Sequence, residues 1–226
     1  RRTELLHPPS NELLAKGQEQ GIARIADVFC EPGVFTIDET RGILKAAGKA
    51  GRGLKIHADE FTPSGGAELA ASLNAVSADH LAAISDAGIK ALANSETAAT
   101  LLPGTMLFLG KTKQAPARAL IEAGAAVALA TDFNPGTSPT VNFPLMLTLG
   151  VSQLSMSAAE VIVAATVNGA AALGLAGQTG HIAPGFAADL ALFPLRDVPA
   201  LPSWSGRRPL SGTGTGGRAC HPPPTG

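Results

Sequence analysis

Short apolar runs alternate with alanine-rich amphipathic segments from about Ile22 to Leu173. The apolar runs include "IADVFC", "LKIHAD", "AVSADH", "IKALAN" and "AVALATD", and the amphipathic segments include "GILKAAGKA", "GAELAASL", "LAAISDAG" and "ARALIEAG". Strands that are covered on both faces read as continuous apolar runs, so this alternation predicts a parallel α/β fold. The pattern alone fits both a doubly wound open sheet and a (β/α)8 barrel.

Polar residues recur where the predicted strands end. These residues are His57, His80, Asn94 and Asp132. In a barrel all the carboxyl ends of the strands open on one face, whereas in an open sheet only those near the switch point meet. No GxGxxG motif follows an early strand, and the "GTGTGG" stretch at 212–217 follows no predicted strand. The sequence therefore favours the barrel.

Composition and charge narrow the classes of partner. The formal net charge is -1 and the pI is about 6.6, so there is no electrostatic footprint for nucleic acid or for an acidic membrane. We find no apolar run near the roughly 18 residues of a membrane span. The two cysteines, Cys30 and Cys220, form no CxxC pair, which favours a reducing, cytoplasmic setting. The expected partner is a small-molecule substrate.

The stretch "GLKIHADEF" places three titratable residues directly after an apolar run. His57 is either a site residue or a structural histidine that donates to a backbone carbonyl. Asp59 is interpreted as an N-cap or first-turn residue of a helix, because an aspartate before "FTPSGGAEL" suits a helix N-terminus. Glu60 lies three positions from His57, so its carboxylate could reach the same cleft as a general base.

Two further stretches contain candidate site residues, His80 and Asp132. His80 in "SADHL" is either a site residue or, with Ser77 and Asp79, a cap for the helix predicted over "LAAISDAG". Asp132 ends a predicted six-residue apolar strand, which is costly unless the carboxylate is paired or binds a metal. The alternative for Asp132 is a plain turn with a capping aspartate.

A turn follows Asp132 in "TDFNPGTSP". Asn134, Pro135 and Gly136 form this turn, whose backbone can approach a ligand closely, and Thr137 and Ser138 add hydroxyl groups. Exposed N–H groups in a tight turn form a concavity that suits an anion.

These residues together point to hydrolysis assisted by a metal ion. A bound metal lowers the pKa of its water ligand to about 7, and a carboxylate can then carry the proton. His57 and Asp132 are two protein ligands, whereas a catalytic zinc usually has three, so the ligand set is incomplete within this chain.

Several motifs, in this order, resemble those of the imidazolonepropionases, amidohydrolases of histidine degradation. The motifs are "DVFCEPGVF", "KIHADEF", "GGAELA", "SADHL", "TDFNPGTSPT" and "ATVNGAAALGL". The resemblance covers about residues 26–195. The stretch "GHIAPGFAADLALF" is also similar to the closing strand of the small β-domain found in many amidohydrolases.

The resemblance implies a (β/α)8 barrel and a metal site. It implies that His57 and Asp132 bind one zinc or iron ion, and that Glu60 contacts both the substrate and the attacking water. It implies that His80 assists at the substrate carbonyl.

The resemblance also implies a reaction. It is the hydrolytic ring opening of 4-imidazolone-5-propanoate to N-formimidoyl-L-glutamate, with Asp132 and Glu60 as proton carriers. Asn134, Gly136 and Thr137 match the loop that holds the propionate end of the substrate or product.

The chain departs from the family pattern in its N-terminal part. It contains no HxH motif, which supplies two further metal ligands in the family, and no tyrosine. We therefore expect only about the second half of a barrel that normally takes about 250 residues, together with the end of a small β-domain. The expected divisions are an uncertain segment at 1–20, a partial barrel at 21–176, a β-domain strand at 177–196 and a disordered or foreign tail at 197–226.

Two other functions stay open at this point. The chain is alternatively an inactive fragment of such an enzyme, or part of another metal-dependent cyclic amidohydrolase. A phosphate-binding barrel is more distant, because no clear phosphate loop is present. Half a barrel would expose strand edges, so association into a homo-oligomer or aggregation is also expected.

Overall fold

The structure is a computed structural model that describes residues 16–17, 20–203 and 210–220. These residues fall into two compact units. The first unit comprises the described residues up to Ala99 together with Ala119–Ala126, and the second comprises Thr100–Arg118 and the described residues from Val127 onward.

The core of the fold is an α/β arrangement built on a five-stranded sheet with strand order β1-β2-β3-β4-β5. Its strands are β1 (Ile25–Cys30), β2 (Gly53–Ala58), β3 (Ser77–His80), β4 (Ala98–Leu101) and β5 (Val127–Leu129). The helices are α1 (Ile37–Lys49), α2 (Gly66–Ser72), α3 (Asp86–Ala93), α4 (Pro103–Phe108), α5 (Ala117–Ala123), α6 (Phe143–Leu154), α7 (Ala158–Ala165) and α8 (Val167–Ala172). The predicted α/β class is confirmed.

Parallel pairing brings the ends of β2 and β3 together in the first unit. β1 pairs with β2 so that Phe29 lies opposite His57. β2 pairs with β3 so that His57 lies opposite Asp79, and Ala58 lies opposite His80. Because the strands are parallel, both histidines lie at the carboxyl ends of their strands, which is where a barrel carries its site.

Helix α1 shows how local sequence fixes an element. Thr36 precedes it and accepts a hydrogen bond from the backbone N–H of Glu39, whose carboxylate accepts from the Thr36 backbone N–H. This capping box starts the helix. Leu44 and Ala47 are fully buried and lie on the face that α1 packs against β1 and β2.

The sequence prediction is wrong between residues 82 and 101. "IKALAN", predicted as a strand that ends at Asn94, belongs to helix α3, and Asn94 caps its C-terminus by donating from Nδ2 to the Lys90 carbonyl at 2.7 Å. Helix α3 begins after Ser85, whose hydroxyl accepts from the Gly88 N–H. The next strand is β4, whose four residues are all buried. Asn94 is therefore not a strand-end site residue.

A small antiparallel sheet occurs in the second unit. Its strands are β6 (Leu190–Leu192), β7 (Gly212–Thr215) and β8 (Arg218–Cys220), in the order β6-β7-β8. A 3-10 helix covers Val198–Ser203. These elements include parts of the 197–226 stretch for which disorder was predicted. The predicted divisions themselves stay a prediction, since residues 1–15, 18–19, 204–209 and 221–226 lie outside the described residues.

Among the described residues no helix combines the length and apolar character needed to cross a bilayer.

Two glycines give a matched test of packing in the first unit. A Cβ atom on Gly66 would lie 2.8 Å from the Ala58 Cβ and 3.0 Å from its Cα, whereas one on Gly42 in α1 would meet nothing within 4 Å. We expect Gly66→Ala to lower the free energy of unfolding by about 1–3 kcal/mol through overpacking. Gly42→Ala should raise it by up to about 1 kcal/mol through helix propensity. Urea unfolding measures both, and equal effects would contradict the close approach at Gly66.

A second test concerns pH and the start of α7. Arg118 donates to both carboxylate oxygens of Glu160 at 2.7 and 3.0 Å, and the carboxylate also accepts from the Ser157 N–H. These contacts, led by the Arg118 hydrogen bonds, lower the pKa of Glu160 to about 2. The resulting stability is present above the ordinary carboxyl pKa of about 4.3 and is lost as the pH falls towards 2.

Glu160→Gln should therefore lower the free energy of unfolding at pH 7 by about 0.5–1 kcal/mol, because the pair is partly exposed. Glutamine can still complete the capping box, so the difference reports the charge. The difference in free energy of unfolding between wild type and variant, measured by urea titration, should shrink between pH 5 and pH 3. A difference in free energy of unfolding that does not depend on pH would refute a stabilising role for the Glu160 charge. Glu96→Gln, at an exposed position, serves as the control.

Candidate active site

In the first unit His57, Glu60 and His80 form one cluster. His57 and His80 lie with their ring centroids 5.0 Å apart. Glu60 Oε1 lies 3.5 Å from His80 Nδ1, and the side chains of both residues are almost fully buried. Three of the residues predicted for the site are therefore adjacent: His80 and Glu60 are shielded from solvent, and His57 beside them is partly exposed.

Burial determines the charge of His80. Burial, together with the charge of the neighbouring His57, lowers the pKa of His80 to about 3, although Asp27 acts in the opposite direction. Among the residues that the structure describes, neither ring nitrogen of His80 has a hydrogen-bond partner. His80 is thus a neutral imidazole at physiological pH, able to donate one N–H and to offer one lone pair.

Asp27 on β1 contacts His57 and was not predicted as a site residue. Its Oδ1 lies 3.1 Å from His57 Nδ1. Burial raises the pKa of Asp27, but the hydrogen bond and charge of His57 outweigh burial and leave that pKa below its usual value. A carboxylate on Nδ1 favours the tautomer that carries the proton there, so the Nε2 lone pair is the one available to a ligand.

A second ion pair lies on the same strands. Lys55 Nζ is 3.2 Å from Asp79 Oδ2, and the Ser77 hydroxyl donates to Asp79 Oδ1 at 2.6 Å. Asp27, His57 and Asp79 each offer a ligand atom, and these atoms all lie within 4.8 Å of one another. Because Lys55 and Ser77 already satisfy Asp79, we interpret that carboxylate as structural.

Asp59 serves the fold, as the sequence indicated. Its buried carboxylate accepts hydrogen bonds from the backbone N–H groups of residues 64–67 at 2.7–3.3 Å, and from the Ser64 hydroxyl at 3.1 Å. These are the donors at the start of α2 and in the loop before it, which otherwise have no helical partner. Asp59 thereby fixes the chain between His57 and α2.

Glu31 holds the loop that carries Glu60 and was also missed. It is buried, and it accepts from the Phe61 N–H at 3.3 Å and from the Thr62 hydroxyl at 2.5 Å. No sequence pattern links Glu31 to a loop about 30 residues away, so only the fold reveals this contact.

In the second unit the other predicted site residues lie on one loop. Strand β5 is shorter than predicted and ends at Leu129, so Asp132 lies three residues beyond it. The reason is local: the Ser138 hydroxyl donates to the Thr131 carbonyl at 2.5 Å, and Asp132 has a left-handed backbone with φ 52°. Asp132 Oδ2 accepts a 2.5 Å hydrogen bond from the hydroxyl of Thr105.

The turn after Asp132 is closed by Asn134. Its Oδ1 accepts from the Gly136 N–H at 2.9 Å and from the Thr137 N–H at 2.8 Å, and its Nδ2 donates to the Asp132 carbonyl at 2.8 Å. The structure thus brings together Asn134, Gly136 and Thr137, but the two backbone donors expected to bind an anion are already hydrogen-bonded to Asn134.

The donor set fits a metal ion in its chemistry. Imidazole nitrogens and carboxylate oxygens are ligands that both zinc and iron accept. The Asp27 carboxylate that orients His57 through Nδ1 is a feature common around metal-bound histidines.

Comparison with known proteins identifies the class. The family model described as "Amidohydrolase family" matches residues 19–217, and the chain therefore belongs to the amidohydrolase family. Within it, the chain is 53% identical over 182 residues to an imidazolonepropionase of Bacillus velezensis, covering 80% of this chain and 43% of that protein. It is 46% identical over 221 residues to an imidazolonepropionase of Porphyromonas gingivalis, covering 98% of this chain and 52% of that protein.

These matches confirm the resemblance drawn from the motifs. The chain spans about half the length of the curated relatives it matches. Solved structures support the fold: an adenosine deaminase from Xanthomonas campestris with bound zinc has a TM-score of 0.71 at 21% identity, covering 93% of this chain and 55% of that one. An ochratoxinase from A. niger has a TM-score of 0.70 at 20% identity, and the match covers 89% of this chain and 52% of that one.

The Asp59 contacts generate a stability prediction. We expect Asp59→Ala to lower the free energy of unfolding by at least about 2 kcal/mol, because four backbone N–H groups lose a charged acceptor. Asp86→Ala, at an exposed first-turn position of α3, should cost no more than about 1 kcal/mol. Denaturant unfolding compares the two variants. Similar values would show that Asp59 is an ordinary first-turn residue.

Proposed function

We propose that this chain carries part of the active site of an imidazolonepropionase. The reaction is hydrolysis of the cyclic amide 4-imidazolone-5-propanoate to N-formimidoyl-L-glutamate, in histidine degradation. The observation that supports this most is the cluster of His57 with the buried side chains of Glu60 and a neutral His80, in a chain that is 53% identical to an imidazolonepropionase over 182 residues.

His57 and Asp132 would hold one metal ion, zinc or iron. Such an ion, when bound, polarises a carbonyl group and lowers the pKa of water so that hydroxide is available at neutral pH. The chain contributes the orientation of its ligands: Asp27 accepts from His57 Nδ1, and Thr105 donates to Asp132 Oδ2. The two further ligands expected from the family pattern are not among the motifs of this sequence.

His80 is proposed to donate its N–H to the ring carbonyl oxygen. A neutral imidazole is suited to this role because its pKa of about 3 keeps it from being protonated and losing its lone pair near pH 7. Hydrogen-bond donation stabilises the negative charge that develops on the carbonyl oxygen as water adds to the carbon. The fixed position of His80 between Glu60 and His57 supports this role.

Glu60 and Asp132 are proposed as the proton carriers. Water adds to the ring carbonyl carbon while a carboxylate takes its proton, and the proton passes to the ring nitrogen as the C–N bond breaks. The number of protons balances, since the water proton ends on the leaving nitrogen. Glu60 is buried and lies beside His80, which supports a role for both residues at the same carbonyl group.

Asn134, Gly136 and Thr137 are proposed to bind the propionate group. In the structure the Gly136 and Thr137 N–H groups donate to Asn134 Oδ1, so the carboxylate must displace this amide or bind the remaining hydroxyl and side-chain donors. This closed turn favours one second candidate function, hydrolysis of a cyclic amide that has no carboxylate tail.

The test is metal content and activity in the purified protein and in Asp132→Asn. We expect about one metal ion per chain in the wild type. We expect a loss of metal affinity of at least about 10-fold in Asp132→Asn, with activity lowered by at least about 100-fold. Metal analysis after dialysis and the disappearance of the imidazolone substrate measure these quantities. Asp38→Asn, at an exposed position of α1, is the matched control.

Three results would separate the alternatives. Wild-type metal content and activity in Asp132→Asn would refute the ligand assignment. Absence of both metal and activity in the wild-type chain would support the inactive-fragment alternative. Faster hydrolysis of the same ring without its propionate would favour the second candidate function.

A further inference from the structure

Three hydrogen bonds hold the backbone and side chain around Asp132. The Thr105 hydroxyl donates to Asp132 Oδ2 at 2.5 Å, and the Asn134 amide donates to the Asp132 carbonyl at 2.8 Å. The Ser138 hydroxyl donates to the carbonyl of Thr131 at 2.5 Å. Only the Thr105 bond reaches the carboxylate itself, so it is the contact that sets the direction of that group.

Thr105 is well placed to hold the carboxylate still. It is fully buried on helix α4, directly after Gly104. A Cβ atom on Gly104 would lie 3.0 Å from the Met146 Sδ and Cε atoms and 3.4 Å from the Ser138 hydroxyl oxygen. The absence of a side chain at Gly104 thus lets α4 pack closely against α6 and the loop, which leaves Thr105 little freedom to move away from Asp132.

The backbone of Asp132 makes such a contact necessary. Its φ of 52° lies in the left-handed region, which costs energy for a residue other than glycine and persists where the surroundings hold it. A carboxylate on this backbone can still turn about its Cβ–Cγ bond. One short charge-assisted hydrogen bond to a buried hydroxyl stops that rotation and occupies one lone pair of Oδ2.

We propose that Thr105 is a positioning residue that fixes the rotation of the Asp132 carboxylate by donating its hydroxyl hydrogen to Oδ2. The Asp132 carboxylate is then presented in a single orientation for the metal. The inference rests on the role of Asp132 in the proposed function, and it assigns to Thr105 a part that the motifs do not indicate.

The test uses Thr105→Val and Thr105→Ser in the purified protein. Valine keeps the shape and removes the donor, whereas serine keeps the donor. We expect Thr105→Val to weaken zinc binding, measured by chelator competition, by about 10- to 100-fold, and to lower kcat by a similar factor. The KM should change by less than about threefold, because the substrate contacts stay in place. Thr105→Ser should restore most of both losses.

Thr97→Val is the matched control. Thr97 is also a buried threonine, and its hydroxyl makes no hydrogen bond within the described residues. It precedes the first residue of β4, at the opposite end of that strand from α4. Zinc affinity and kcat should therefore be unchanged in this variant.

The outcomes separate this inference from the proposed function. Wild-type zinc affinity in Thr105→Val would overturn the positioning role while leaving Asp132 as a ligand, provided that Asp132→Asn still loses the metal. A loss in Thr105→Val that serine does not restore would also overturn it, because packing would then be the cause. If Asp132→Asn itself binds zinc normally, the proposed function fails. Urea unfolding of each variant shows whether a loss of affinity arises from a loss of folding.

Discussion

The first unit depends on one buried charge, the carboxylate of Asp59. A carboxylate that is 1% exposed is costly to bury unless several donors surround it. Here four backbone N–H groups and one hydroxyl supply those donors, and all of them come from the eight residues that follow. The interaction ends strand β2, starts helix α2 and fixes the chain between His57 and Glu60. The candidate site residues on either side of Asp59 are thereby held in position by these hydrogen bonds.

Left-handed backbone conformations at residues other than glycine occur where strands lead to the candidate site residues. Asp59, His80 and Leu81 in the first unit, and Asp132 in the second, all have a left-handed backbone without being glycine. Side-chain hydrogen bonds at Asp59 and Asp132, and the pairing of His80 with Ala58, hold these conformations. Local strain of this kind is common at functional sites, because it aims a side chain away from the direction in which the strand would otherwise point it.

Much of this arrangement could be predicted from the sequence. Continuous apolar runs identified β1, β2 and β3, and the polar residue that ends each run marked His57 and His80. The stretch from Leu81 to Leu101 could not be divided correctly, because "IKALAN" and "AATL" are both short and apolar, and length alone does not separate a helix from a strand. Ser85, which caps α3, was the overlooked signal. Three contacts with candidate site residues or their loops come from residues about 30 positions away in sequence. They are made by Asp27, Glu31 and Thr105, and only strand register and helix packing bring these residues there.

The turn closed by Asn134 has a consequence for molecular recognition. Its side-chain carbonyl accepts from the backbone N–H groups of Gly136 and Thr137, so both of these donors already have an acceptor within the loop. A carboxylate that bound here would replace Asn134 Oδ1 as the acceptor for the Gly136 and Thr137 N–H groups. The gain on binding is then the difference between a charged and a neutral acceptor, and Asn134 acts as a built-in competitor. Such a loop rejects weak acceptors such as neutral amides, because they offer nothing that the protein does not already supply.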